Sequence, residues 1–175
     1  MAAALSKRPS AGGPSFPLDF ASISFLIVDD QPFTRRLVRT MLHGFGSREV
    51  YESAGGVEGL EMARTTMPNI IITDLIMPGF DGVRFIKMVK APSAATSRIP
   101  IIVLSGYLTK TATLAVNESG ADELLVKPVS PKALYEHVSR IVLRKNQANP
   151  PPAFVQNQRR RAGLHKKKTG DVALI

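Results

Sequence analysis

The stretch that decides the fold is Asn69–Gly82, NIIITDLIMPGFDG. It begins with a run of isoleucines, a pattern typical of a β-strand buried on both faces. The run ends on Asp74, and a carboxylate at the edge of an apolar core is costly unless a partner or a cation compensates its charge. The stretch therefore predicts a buried strand, Ile70–Thr73, that delivers an acid to a polar site.

Four other short apolar runs alternate with helical patterns along the chain. They predict the remaining strands, which are Phe25–Val28, Glu49–Ser53, Pro100–Leu104 and Glu123–Val126. Between and after the strands, apolar residues recur at the spacing of a helix. The predicted helix faces carry Phe33, Leu37, Val38, Met41 and Leu42; Val57, Leu60 and Met67; Val83, Ile86 and Val89; and Leu134, Val138, Ile141 and Val142. Five such βα units predict an α/β fold, a parallel sheet with helices on both faces.

The ends of the helices have their own signals. Gly44 is expected to stop the first helix, and Gly120 the fourth, which runs over roughly 109–119. The fifth helix is expected to begin with Ser130 as its cap and Pro131 in its first turn.

Composition divides the 175 residues into three parts. Residues 1–21 are rich in Ala, Ser, Gly and Pro, which predicts a flexible arm. Residues 22–145 hold the five βα units. Residues 146–175 form a Pro-rich and then basic tail, predicted to be disordered, which supplies +5 of the formal net charge of +9. The chain has no cysteine and no apolar stretch near the roughly 20 residues that span a bilayer, so a cytoplasmic protein is expected.

Each central strand ends on a polar side chain. The first is followed by Asp29 and Asp30, the third by Asp74, the fourth by Ser105 and the fifth by Lys127. Because sites in such sheets form beyond the carboxyl ends of the strands, these side chains are expected to share one pocket. Three carboxylates suit Mg²⁺, and a lysine with a hydroxyl suits a phosphoryl group. The pattern favours phosphoryl transfer onto a carboxylate.

At this point the chain from about Ser24 to Arg144 resembles the receiver domain of two-component response regulators, in its stand-alone CheY-like type. The motifs that carry the resemblance stand in the family's order; they are FLIVDD, IIITDLIMPGFDG, IIVLSGY and LLVKP. The resemblance implies a flavodoxin-like (β/α)5 fold with strand order 2-1-3-4-5. It also implies Mg²⁺-dependent phosphorylation of an aspartate by a histidine kinase or a phosphotransfer protein.

The resemblance assigns roles by position. Asp74 would be the phosphoacceptor, Ser105 the hydroxyl switch residue and Lys127 the cation that binds the phosphoryl group, after which a cis bond to Pro128 is implied. Asp30 would bind Mg²⁺ directly and Asp29 through a water molecule. The backbone carbonyl of Ile76 would be a further ligand, so the implied metal set is Asp29, Asp30, Asp74 and Ile76.

Three positions depart from the family pattern. Leu124 stands where the family often has a switching Tyr or Phe, so the signal is expected to travel by loop movement. Ile76 and Tyr107 stand where side chains flank the path of the hydrolytic water, and neither is an acid or an amide. This predicts slow self-dephosphorylation.

The chain is thus expected to be a single-domain response regulator, without turnover of an external substrate. It would signal by phosphorylation-dependent binding of a protein on its α4-β5-α5 face, in chemotaxis, motility or a phosphorelay. An acid-phosphatase-like enzyme would need a second acid as proton donor and a cap domain, and the sequence shows neither. His43, His137 and His165 are interpreted as having no catalytic or metal role, and Arg35, Arg36 and Arg39 as a solvated face.

The basic tail leaves three interpretations open. It could only keep the chain soluble, or it could bind an anionic ligand through Arg159, Arg160, Arg161, Lys166, Lys167 and Lys168. Some CheY-like proteins with arginine-rich tails are cyclic-di-GMP effectors, so that dinucleotide is the alternative ligand. The third interpretation is weak, unspecific attraction to nucleic acid or an anionic membrane. Specific DNA binding and membrane insertion are not expected.

Overall fold

The computed structural model describes residues 18–106 and 109–148. Their centre is a parallel sheet in the order β2-β1-β3-β4-β5. The strands are β1 (Phe25–Val28), β2 (Val50–Ser53), β3 (Ile70–Asp74), β4 (Ile101–Ser105) and β5 (Glu123–Val126). The predicted α/β fold and strand order are confirmed.

Five helices connect and follow these strands. They are α1 (Pro32–Phe45), α2 (Gly56–Thr66), α3 (Gly82–Val89), α4 (Lys110–Ser119) and α5 (Pro131–Ala148). Short 3-10 helices, Phe20–Ser22 and Ala95–Arg98, precede β1 and β4. As predicted, the hydroxyl of Ser130 caps α5 by accepting from the backbone N–H of Ala133 at 3.2 Å. None of the helices among the described residues is long and apolar enough to cross a membrane.

The chain divides into two compact units inside α5. The first ends at His137 and contains the sheet and the other four helices. The second begins at Val138, and its described residues continue α5 with Val138 and Ile141 buried.

The burial of the central strands explains why their sequences are continuous apolar runs. Strands β1, β3 and β4 are buried along their whole length, which requires cover on both faces of the sheet. On one face, strand residues such as Leu26, Ile71 and Val103 belong to a cluster with Phe85 and Val89 of α3. Elsewhere in the first unit Phe20, which is buried, contacts the rings of Phe25, Phe45 and Tyr135, with centroids 5.3–6.3 Å away.

Several details of the predicted elements were wrong. Strand β2 begins at Val50 and β4 at Ile101, and β3 and β4 include Asp74 and Ser105 as their last residues. Helix α1 ends at Phe45, because Gly46, with a left-handed φ of 105°, supplies the stop in place of Gly44. Three residues assigned to apolar helix faces are exposed: Phe33 at 76%, Val57 at 70% and Met67 at 46%.

Several predictions fall on residues outside the described part of the chain. These residues are Tyr107, His165, Arg159–Arg161 and Lys166–Lys168. Most of the N-terminal arm, residues 1–17, lies outside it as well. Two residues of that arm, Phe20 and Ala21, belong to the 3-10 helix before β1.

Candidate functional site

Three carboxylates meet at the carboxyl edge of the sheet. Asp29 and Asp30 follow β1 directly, and Asp74 is the last residue of β3, which pairs with β1 in parallel register. One oxygen from each of Asp29, Asp30 and Asp74 lies within 4.8 Å of the others. Asp29 and Asp74 are buried and Asp30 is half-buried. The predicted convergence of these acids is therefore present.

Lys127 lies beside these carboxylates, on the side of β5. Its Nζ donates to Oδ2 of Asp29 and to Oδ2 of Asp74, each at 2.9 Å. The bond from Lys127 to Pro128 is cis, as the resemblance implied. The predicted lysine thus reaches two of the three acids directly.

Ser105 lies beside Lys127 at the end of β4. Asp74 is opposite Leu104 in the β3–β4 register, so Ser105 lies one residue beyond the level of Asp74. The backbone N–H of Lys127 donates to the carbonyl of Ser105 at 2.8 Å, and Ser105 is buried. The hydroxyl residue is therefore carried by the strand between the acid and the lysine.

Backbone hydrogen bonds orient two of the carboxylates. Oδ1 of Asp29 accepts from the N–H of Gln31 at 2.8 Å, and Oδ1 of Asp74 accepts from the N–H of Leu75 at 2.7 Å. Asp30 differs, because its Oδ1 is buried without a hydrogen-bond partner among the described residues. A buried carboxylate oxygen without a partner costs free energy, and a bound cation would remove that cost.

The electrostatics of the cluster also favour an added cation. Burial raises the pKa of Asp29, and the hydrogen bonds from Lys127 and Gln31 oppose this only in part. Burial acts to lower the pKa of Lys127, but its hydrogen bonds to Asp74 and Asp29 outweigh that effect, so its pKa is raised. One lysine therefore does not compensate all of the negative charge. The donor set is all oxygen, which fits Mg²⁺.

The loop after Asp74 folds back onto the strand end. The N–H of Gly82 donates to the carbonyl of Leu75 at 2.9 Å, and a Cβ on Gly82 would lie 2.3 Å from the carbonyl oxygen of Asp74. Asp81 caps α3 by accepting from the N–H of Arg84 at 2.7 Å. Within this loop the Ile76 side chain is 64% exposed. Only a residue without a side chain can occupy position 82 in this arrangement.

The interpretation of Arg35 as part of a solvated face was wrong. Its Nη1 donates to the backbone carbonyl of Asp29 at 2.7 Å, and its side chain is only 16% exposed. Sequence reasoning missed this contact because an arginine in the first turns of a helix has no pattern that distinguishes it from a surface residue. Arg39, one turn later, is 45% exposed and pairs with Glu52 at 2.7 Å.

The described histidines lie outside the acid cluster. Nδ1 of His43 is 2.9 Å from the carbonyl of Ser47, and Nδ1 of His137 is 2.9 Å from Oε2 of Glu123. Leu124, at the position of the missing aromatic switch, is partly buried and packs against the core.

A family model, the response regulator receiver domain, matches residues 25–139. Among curated proteins, the KDP operon transcriptional regulatory protein KdpE of Escherichia coli K12 is 38% identical over 127 residues. A probable transcriptional regulator, ycf27 of Porphyridium aerugineum, is 32% identical over 124 residues. The alignments cover 73% and 71% of this chain but only 54% and 50% of these relatives, so the chain spans about half of their length.

Solved structures show the same likeness. The chemotaxis protein CheY4 of Vibrio cholerae is 31% identical with a TM-score of 0.63, covering 68% of this chain and 98% of that one. A protein of Chloroflexus aurantiacus assigned as a response regulator is 32% identical with a TM-score of 0.65, covering 69% of this chain and 98% of that one.

Proposed function

The chain belongs to the response regulator receiver domain family, and we propose that it accepts a phosphoryl group on Asp74 from a histidine kinase or a phosphotransfer protein. The observation that carries the proposal is the junction of three carboxylates with Lys127, whose Nζ lies 2.9 Å from Asp74. Asp74 is buried beside the positive charge of Lys127, which suits a carboxylate that is to carry a dianionic phosphoryl group.

The proposed transfer exchanges a P–N bond for an O–P bond. A carboxylate oxygen of Asp74 attacks the phosphorus of a phosphohistidine, an O–P bond forms and the P–N bond breaks. The electron pair stays on the imidazole nitrogen, which takes up a proton. The ammonium group of Lys127 neutralises negative charge on the phosphoryl oxygens, and the Ser105 hydroxyl donates a hydrogen bond to one of them.

Asp29, Asp30, Asp74 and the backbone carbonyl of Ile76 are the proposed Mg²⁺ ligands. The unpartnered Oδ1 of Asp30 and the all-oxygen donor set support this. The bound ion would supply positive charge to the carboxylates and to the transferred group. Lys127 holds Asp29 and Asp74 in place, so the protein presents an arranged set of ligands.

The proposed output is a change in affinity for a protein partner. Phosphorylation adds a dianion at Asp74, Ser105 and Lys127 move toward it, and the loops that lead to α4 and β5 shift. Exposed apolar side chains on those elements, Leu114 at 60% and Val126 at 39%, support the α4-β5-α5 face as the docking surface. Chemotaxis, motility or a phosphorelay is the proposed setting.

The experiment that tests this function is incubation of the purified chain with acetyl phosphate and Mg²⁺, followed by intact-mass spectrometry. We expect one added phosphoryl group on the native chain and none on Asp74→Asn. Asp81→Asn is the matched control, because Asp81 lies in the same loop, is exposed and caps α3, a task that asparagine also performs. Equal labelling of Asp74→Asn and the native chain would refute the proposal.

A further inference from the structure

The two peptide units that flank the Cα of Asp29 are each held by one hydrogen bond. The N–H of Asp29 donates to the carbonyl of Ser53 at 3.2 Å, and the carbonyl of Asp29 accepts from Nη1 of Arg35 at 2.7 Å. The carbonyl belongs to the same rigid peptide plane as the N–H of Asp30. Its orientation therefore fixes the N and Cα of Asp30, from which the Asp30 side chain extends.

The guanidinium of Arg35 is itself fixed in place. Its backbone lies in the first turns of α1, where the N–H of Arg35 donates to the carbonyl of Gln31 at 3.2 Å. Its Nε lies 3.6 Å from Oε2 of Glu52, which β2 places opposite Ile27 of β1. Arg35 thus joins the end of β1 to β2 through one planar group, which presents several donors at once.

We infer that Arg35 is a positioning residue for the metal site. Its charge-assisted hydrogen bond holds the Asp29–Asp30 peptide and with it the backbone of Asp30, whose unpartnered Oδ1 would be a ligand of the cation. Groups that orient metal ligands affect metal affinity although they do not touch the ion. This inference rests on the proposed Mg²⁺-dependent function.

Arg39 separates this role from a purely structural one. It makes the shorter contact with Glu52, 2.7 Å against 3.6 Å for Arg35, and no described contact joins it to Asp29. If the only task of these arginines were to tie α1 to β2 through Glu52, removing Arg39 would disturb the site at least as much as removing Arg35. A positioning role predicts the opposite order.

The test is a titration of the full chain with MgCl₂, followed by the amide shifts of Asp30 and Leu75 in nitrogen-15 NMR spectra. We expect saturable binding by the native chain, an affinity about tenfold lower for Arg35→Ala, and an Arg39→Ala affinity within about twofold of native. Arg35→Lys keeps the charge but not the planar fork, so its affinity is expected to lie between those of the native chain and Arg35→Ala. If Arg35→Ala does not fold, as urea denaturation in EDTA would show, Arg35→Lys carries the comparison.

A second measurement separates the affinity for Mg²⁺ from the rate of phosphoryl transfer. At saturating Mg²⁺ the rate of phosphorylation by acetyl phosphate should return to the native rate in Arg35→Ala, because Arg35 does not contact the acceptor. Native Mg²⁺ binding with equal affinities in the two arginine variants would overturn the positioning role and leave the proposed function standing. A native chain that binds no Mg²⁺ would overturn both.

Discussion

Replacing Lys127 by methionine tests how the acid cluster is held in the metal-free protein. The lysine Nζ lies 2.9 Å from a carboxylate oxygen of Asp29 and 2.9 Å from one of Asp74. Those two residues are 0% and 5% exposed. Methionine keeps the length of the side chain and removes its charge, so both carboxylates lose their cationic partner while they remain buried.

The size of the loss in unfolding free energy follows from this geometry. Removing one partner of a buried ion pair costs about 3–5 kcal/mol, because a buried charge is left uncompensated. The Lys127 side chain is 20% exposed, which lets water replace part of the lost interaction. We therefore expect the free energy of unfolding of Lys127→Met to fall by about 3 kcal/mol at pH 7, the lower end of that range.

Lys90→Met is the matched control. The Lys90 side chain is 17% exposed and its Nζ lies 2.8 Å from Oδ2 of Asp122, a carboxylate that is 34% exposed. Because solvent reaches this carboxylate, the loss should be about 1 kcal/mol or less. Urea denaturation of the two variants and the native chain in EDTA, followed by circular dichroism, measures all three values. A Lys127→Met loss no larger than that of Lys90→Met would refute the reasoning.

The pH dependence of the unfolding free energy is an independent test of the Lys127 ion pairs. The pKa of Lys127 is raised in the folded protein above the ordinary 10.5. Its contribution to stability is therefore complete below pH 10.5 and is lost as the pH rises through the folded value. The difference in unfolding free energy between native and Lys127→Met should shrink above pH 10.5. A difference that widens there would contradict the assignment.

Three further predictions concern the loop after Asp74 and the tail. Ile76→Asn should shorten the half-life of the phosphorylated protein by about tenfold or more against Ile76→Val, because an amide can orient the attacking water; a native half-life of seconds would contradict slow self-dephosphorylation. Gly82→Ala should lower the unfolding free energy by about 1–3 kcal/mol, whereas Gly44→Ala, whose Cβ would meet nothing within 4 Å, should not lower it; equal effects in urea denaturation would be contrary to this packing. If the tail binds cyclic-di-GMP, calorimetry should give a higher affinity for the full chain than for a chain ending at Asn146, and equal affinities would eliminate the tail as the site.

Much of the fold could be predicted because buried parallel strands leave a clear pattern. The continuous Ile, Leu and Val of β1, β3 and β4 mark strands covered on both faces, and the rule that sites lie beyond the carboxyl ends places Asp29, Asp30 and Asp74 together. The lysine at the end of β5 follows from the same rule. These inferences depend on local sequence and on the geometry common to all parallel sheets.

The prediction errors arose where the spacing of apolar residues does not indicate which side chains are buried. Phe33 and Val57 are the second residues of α1 and α2, and Met67 lies just past α2 with a left-handed φ of 47°. Helical spacing assigns these residues to an apolar face, but it does not say whether another element covers the ends of the helix. The contact of Arg35 with the carbonyl of Asp29 depends on how α1 is placed against β1, which the spacing of residues does not specify.

The measurement that tests the central claim most directly is the location of the phosphoryl group after incubation with acetyl phosphate and Mg²⁺. Borohydride reduces an aspartyl phosphate to homoserine, and mass spectrometry of peptides identifies the residue converted. We predict conversion of Asp74 alone, dependent on Mg²⁺ and reduced in Lys127→Met. Conversion of another acid such as Asp29 or Asp81, or of none, would contradict the account.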